Sequence, residues 1–211
     1  MNPHGVSQSM ARLLGAAADF MALLKSSAAV AQIPGYAEME IMLVGGAAVI
    51  KHTSHRVTKD IDFAVSPDEF VEPLKRVLLK HHSVSWKRPA DAYYFIDEGG
   101  NDFQVDIMPI KNLPYKPSGL QRIVDVDTQN LPIANPLDLI CFKSFVCGFR
   151  ESKKKNIKDA EDVKALMKLF PAAAHLAQLS RDQVGVLKLA REALLDYGGK
   201  DRWWEENLPP V

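Results

Sequence analysis

Asp60-Ile61-Asp62-Phe63-Ala64-Val65 is the stretch on which the fold turns. Successive strand residues point to opposite faces, so Asp60 and Asp62 share one face while Ile61, Phe63 and Val65 turn toward a core. Phe103-Gln104-Val105-Asp106-Ile107-Met108 repeats the arrangement, with Phe103, Val105 and Ile107 apolar and Asp106 opposite them. If these strands are neighbours, a spacing of about 4.8 Å brings three carboxylates within reach of one or two shared cations. Three such anions repel one another without metal, and hard divalent ions prefer carboxylate and phosphate oxygens. Asp60, Asp62 and Asp106 therefore predict an Mg²⁺ or Mn²⁺ site.

Upstream stands Leu43-Val44-Gly45-Gly46-Ala47-Ala48. Glu40–Val44 reads as a short strand stopped by the two glycines, and residues 47–51 as the start of a helix. A strand entering a helix through glycines lets backbone N–H groups approach phosphate oxygens, and the helix N-terminus adds a favourable partial charge. A lone Gly-Gly pair is a common turn. Its weight here comes from order: glycine turn, short helix, Arg56-Val57-Thr58-Lys59, the Asp-Ile-Asp strand, then a later strand with one more Asp.

Farther out, Leu13, Leu14, Ala17, Phe20, Met21 and Leu24 recur at helical spacing, predicting a first helix that ends before Pro34-Gly35. Ser66-Pro67-Asp68-Glu69 starts a helix over 67–81 that His81-His82 closes. Residues 92–96 and 103–110 flank the turn sequence Asp97-Glu98-Gly99-Gly100 and predict a hairpin. Residues 123–126 and 131–134 predict a shorter second one. From Asn135-Pro136 onward the chain turns helical, ending in a helix over 182–197. The expected fold is α+β: a mixed β-sheet with flanking helices over 1–134, followed by a C-terminal helical layer over 135–211.

Composition narrows the function classes. Hydrophobic residues at 47% and charged residues at 25% exclude a disordered chain. Lys plus Arg and Asp plus Glu both number 26, so any polyanion must be met by a local patch, of which 150–158, with Lys153-Lys154-Lys155, is the clearest. The run is weak evidence for RNA, since it equally reads as a solvated helix start. Residues 1–10 lack the basic start of a leader, and the apolar stretch 11–30 is broken by Arg12, Asp19 and Lys25, so no membrane association is expected. Cys141 and Cys147 are too few for a disulfide scaffold and read as buried filler, which fits a reducing cytoplasmic setting. His52 and His55 lack a companion ligand for zinc. Trp203-Trp204 reads as a tail packed onto its domain.

In kind and order, Gly45-Gly46, Asp60-Ile61-Asp62 and Asp106 resemble the nucleotidyltransferase superfamily, whose fold is shared with DNA polymerase β. Arg56-Val57-Thr58-Lys59-Asp60-Ile61-Asp62 is similar to the first motif of the abortive-infection toxin group, the AbiEii-like minimal nucleotidyltransferases. Lys143, Arg150 and Lys158-Asp159-Ala160-Glu161-Asp162 resemble the group's helical Lys, basic residues and Asp-x-x-Asp segment. Two departures stand out: Gly46 replaces the Ser of many members, and the spacer over 47–59 is long.

The resemblance implies a metal-dependent enzyme that moves a nucleoside monophosphate from an NTP to a hydroxyl on RNA, protein or a small molecule, releasing pyrophosphate. Asp60, Asp62 and Asp106 would be catalytic and metal-binding. Gly45, Gly46, Arg56, Thr58 and Lys59 would bind the nucleotide, with Lys143 and Arg150, seven apart on one helical face, meeting phosphate charge. The rival readings are a non-catalytic nucleotide-binding or regulatory module and a nuclease acting at the same acids. The NTP, the acceptor and any antitoxin-like partner stay open.

Overall fold

Alternation of apolar and polar residues builds one mixed sheet, and periodicity of 3.6 builds the helices around it. The computed structural model describes the backbone of residues 3–210 and the side chains of 9–171 and 174–210. Residues 1, 2 and 211, at the ends of the expected ranges, lie outside them. The chain forms two compact units, one of residues 1–112 and 117–134, the other of 113–116 and 135–211.

In the first unit, α1 (Pro3–Ser26) and the single turn α2 (Ala28–Ala31) precede β1 (Glu40–Val44). The glycine pair does not sit in a separate turn ahead of the next helix. It forms the opening residues of α3 (Gly45–Thr53). β2 (Asp60–Ser66) follows, and a 3₁₀ turn at Asp68–Phe70 leads into α4 (Val71–His81), with His82 closing it. Then come β3 (Trp86–Lys87), β4 (Tyr94–Ile96), β5 (Asp102–Pro109) and β6 (Gln121–Arg122). The sheet order is β3-β4-β5-β2-β1-β6. β2 and β5 run parallel; the other neighbours are antiparallel.

The hairpin of β4 and β5 forms as the turn sequence predicts. The second hairpin does not. Residues 123–125 make a 3₁₀ turn, and Ile133 touches the sheet only through an isolated parallel bridge to Leu43. The physical reason is that the free edge of β1 is taken by residues 121–122, just before the first segment, and by the second segment farther along. β6 takes its first half at Glu40 and Ile41, while Leu43 donates to the Pro132 carbonyl and accepts from the Ala134 amide. The second segment finds backbone partners on β1, while the first closes on itself, the Val126 amide donating to the Ile123 carbonyl.

One face of the sheet carries the core. Phe20 from α1 lies 5.6 Å from Phe63, 5.2 Å from Trp86 and 5.6 Å from Phe95, ring centre to ring centre. Ile61, Phe63, Val105 and Ile107 are buried with them. On β2 the other face is covered as well at Ala64 and Ser66, so it opens only at the start of the strand, where Asp60 is exposed and Asp62 half-buried.

The second unit consists of α5 (Pro136–Val146), α6 (Lys153–Met167), α7 (Arg181–Gly198) and α8 (Arg202–Asn207), with a 3₁₀ segment at Pro171–Gln178. Asn135 caps α5 by accepting from the Asp138 amide, and Ser180 with Gln183 makes a capping box on α7. Both α6 and α7 pack on α5. Trp204 is fully buried, and Cys141 and Cys147 are buried free thiols. Lys153-Lys154-Lys155 opens α6.

Candidate functional site

Parallel pairing sets the site. In the β2–β5 register Asp62 lies opposite Asp106, and Asp60 opposite Gln104. Parallel partners project to the same face, so Asp106 stands beside Asp62 at one strand spacing, and Asp60 joins them two residues along β2. Asp106 is exposed. β4 pairs β5 only over Asp102–Gln104, so no strand covers the edge of β5 at Asp106. The carboxylates share a face without being drawn into a knot: among the described residues no three Asp, Glu, His or Cys side chains converge into a closed metal cluster.

The glycine bend comes up against the middle acid. Gly45 has φ +64°, and a Cβ there would sit 2.0 Å from Asp62 Oδ2, so both backbone conformation and space demand glycine. The Gly46 amide donates to that same oxygen at 3.3 Å. The residue preceding α3, Val44, gives the helix no side-chain cap. Beside Gly46 stand two side chains from the loop before β2: a Cβ at this position would lie 2.9 Å from Thr58 Oγ1 and 3.1 Å from Arg56 Nη2. Gly45, Gly46, Arg56, Thr58 and Asp62 are thus gathered at the first turn of α3. Lys59, next in the chain, is exposed.

Two clefts adjoin this region, and they show cations that motif spacing had not picked out. One of about 620 Å³ is lined by Thr58, Lys59, Asn101, Asp102 and Arg12, whose guanidinium donates to Asn101 Oδ1 at 2.8 Å. It takes in none of the three carboxylates. The other, of about 340 Å³, includes Asp106 together with Lys75, Arg88 and Tyr93. Lys75 Nζ and the Arg88 guanidinium carbon stand 5.3 and 5.2 Å from the centre of the Tyr93 ring. These residues come from a helix, a loop and a strand edge, and no local sequence pattern joins them.

No family model matches the chain, and no curated protein matches it. Among solved structures it is similar to an antigenic nucleotidyltransferase-like protein from Paracoccidioides brasiliensis, at a TM-score of 0.56 and 16% identity over 97% of this chain and 95% of that one. The fold is nucleotidyltransferase-like. At that identity the likeness concerns the course of the backbone, and the chemistry has to be argued from this chain's own residues.

Lys143 and Arg150, expected to meet phosphate, belong to the second unit. Lys143 is buried, and its ammonium lies 2.9 Å from Asp159 Oδ1 and 3.0 Å from Asp162 Oδ2. Burial alone would push its pKa down. Asp162 and Asp159 outweigh that and hold the pKa above the ordinary lysine value. Arg150 donates from Nε to the second Asp159 oxygen at 3.1 Å, with its side chain 44% exposed. Asn156, also buried, accepts from the Gly148 and Arg150 amides and donates to the Arg150 carbonyl. Lys143 and Arg150 are therefore tied to the acids of their own unit.

Proposed function

We propose that the first unit is the catalytic core of a metal-dependent nucleotidyltransferase, which moves a nucleoside monophosphate from an NTP to a hydroxyl acceptor. The observation that carries this is the Asp62–Asp106 register, with Asp60 on the same face and the Gly45-Gly46 bend against Asp62. The motif from Arg56 through Asp62 supports an AbiEii-like, toxin-type member. Free buried cysteines agree with a cytoplasmic setting, and no described helix is long and apolar enough to cross a membrane.

Three carboxylates on one open face are the hard oxygen donors that Mg²⁺ or Mn²⁺ takes. Bound by Asp60, Asp62 and Asp106, such an ion would offset phosphate charge and make the acceptor hydroxyl easier to deprotonate. On this reading Gly46 and the first turn of α3 meet the triphosphate with backbone N–H groups, and Arg56 with its guanidinium. Asp106 accepts the proton of the attacking hydroxyl. The acceptor oxygen then bonds to the α-phosphorus as the bond to the β-bridging oxygen breaks, and pyrophosphate departs. RNA, protein and small molecules all offer such a hydroxyl.

Incubation with each labelled NTP, Mg²⁺ and pooled tRNA, protein or small-molecule acceptors tests the proposal. The expected result is label transfer with stoichiometric pyrophosphate release, lost in Asp60→Asn and Asp106→Asn. Tight NTP binding without turnover would identify a regulatory module instead, and nucleotide release from RNA without NTP consumption a nuclease.

A further inference from the structure

At the open edge of β5 lies the cleft of about 340 Å³, and among the described residues its two cations have no hydrogen-bonded counter-ion. The Lys75 side chain, from α4, is only 13% exposed, yet its ammonium stands 3.7 Å from Glu72 Oε1, beyond hydrogen-bonding distance. A charge so withdrawn from water costs free energy unless it is paired, and the Tyr93 ring at 5.3 Å compensates only in part. Arg88, in the loop after β3, is exposed, with its guanidinium carbon 5.2 Å from the same ring. Tyr93 in turn stacks on the buried Trp86, 5.4 Å between ring centres. The core fixes one ring, and that ring holds two cations in the cleft that Asp106 lines.

The cleft is mixed in charge. Glu72 and Asp91, both exposed, line it together with Asp106, so three acids stand against two bases. Such a lining repels a polyanion. It suits a molecule with one phosphate, which the two cations can meet, and with neutral hydroxyls that donate to the acids. The volume is that of a small-molecule site. We propose that this cleft is the acceptor site, and that the acceptor is a small phosphorylated sugar or polyol whose phosphate is held by Lys75 and Arg88 while one of its hydroxyls faces Asp106. The inference rests on the nucleotidyltransferase reading and deepens it by naming the acceptor class. The hydroxyl gives its proton to Asp106, its oxygen bonds to the α-phosphorus, and pyrophosphate leaves. The acceptor's own phosphate is untouched, so the product carries a new phosphodiester beside an intact phosphomonoester. Gly46 and Arg56, assigned to the triphosphate, are not among the residues that line this cleft.

Acceptor pairs that differ by one phosphate test this on the full chain: glycerol, ribose and glucose, each against its terminal phosphomonoester, with labelled NTPs and Mg²⁺, alongside a short RNA and a protein pool. At least one phosphomonoester should take label with a KM roughly tenfold or more below that of its unphosphorylated partner. Arg88→Met and Lys75→Met should each raise that KM by roughly tenfold to a hundredfold and leave the KM for NTP unchanged, and Arg88→Lys should recover part of the loss. Phosphorus NMR without Mg²⁺ reads binding apart from turnover: the probe's resonance should broaden with wild type and stay sharp with Arg88→Met. Melting curves check folding, and the exposed Arg88 carries the test if Lys75→Met folds poorly. Three results would overturn the inference and leave the transferase reading standing: unphosphorylated members used as well as their partners in every pair, label on RNA or protein but on no phosphomonoester, or an unchanged acceptor KM in folded Arg88→Met. Label on nothing, with no pyrophosphate released, would remove both.

Discussion

Two sets of acids in this chain differ in what surrounds them. Asp159 and Asp162 in the helical unit are buried and met by Lys143, with Arg150 also on Asp159. Asp60 and Asp106 in the sheet unit are exposed, and among the described residues neither makes a hydrogen bond or an ion pair. The first set is closed on itself, so its charge is spent on holding helices α5 and α6 together. The second is left open on a shared face, where it can act on something that arrives. Charge alone therefore does not mark a candidate site; acids left open in register with one another do.

The sharpest way to break this contrast is through activity. Asp60→Asn and Asp62→Asn should lower nucleotidyl transfer by on the order of 10³-fold or more. Asp60→Asn should leave unfolding free energy within about 0.5 kcal/mol of wild type, as expected of a surface substitution. Pyrophosphate release paired with denaturant unfolding reads both numbers, and a large stability loss in Asp60→Asn would erase the distinction between open and closed acids.

The closed set should answer in the opposite currency. Lys143→Met removes the buried cation from between two buried carboxylates and should destabilise the fold by about 3–5 kcal/mol in urea unfolding. Arg150→Ala, with its head group partly in water, should cost under about 1 kcal/mol. Because the Lys143 pKa is raised in the folded chain, its contribution is fully present below the unfolded lysine value of about 10.4 and is lost as pH climbs through the higher folded value. Stability measured across pH 8 to 12 should therefore hold and then fall, and Lys143→Met should flatten that alkaline limb.

An intermediate effect is expected at the bend. Gly45→Ala asks an L-residue to take φ +64° while its Cβ presses on Asp62, and should cost about 1–3 kcal/mol together with turnover. The smallest effect concerns His175 in the helical unit. Burial holds its pKa down, opposed by its hydrogen bond to the Asn207 carbonyl. The unfolded chain takes the proton first, so this contribution is present above about pH 6.5 and is lost as pH falls below it. His175→Gln should reduce the slope of unfolding free energy between pH 7 and 5.

How far the sequence could be read depended on the length over which a pattern repeats. β1, β2 and β5 run five to eight residues, long enough for alternation to show, and the acid positions followed from it. β3 has two residues and no period to detect. The expected hairpin over 123–134 failed because short segments pair with whatever edge is free, and the free edge belonged to β1. Thr58 was singled out by its motif, but its contact with Gly46 spans a helix and a loop that no spacing rule measures. For Lys143 and the Asp-x-x-Asp segment the residue types are legible and the pairing is not: it joins residues sixteen apart on two helices, and only packing brings them together.

Residues 113–116 belong to the second unit, although they lie between stretches of the first. Tyr115 holds them there: its hydroxyl donates to Asp138 Oδ1 at 2.8 Å and accepts from Gln183 Nε2 at 3.1 Å. The backbone thus passes from one unit to the other three times. A gene cut at the last of those passages would hand this four-residue thread to the wrong fragment, stripping the helical part of its tyrosine clasp. Anyone wishing to express or exchange the halves should graft the thread along with the helices.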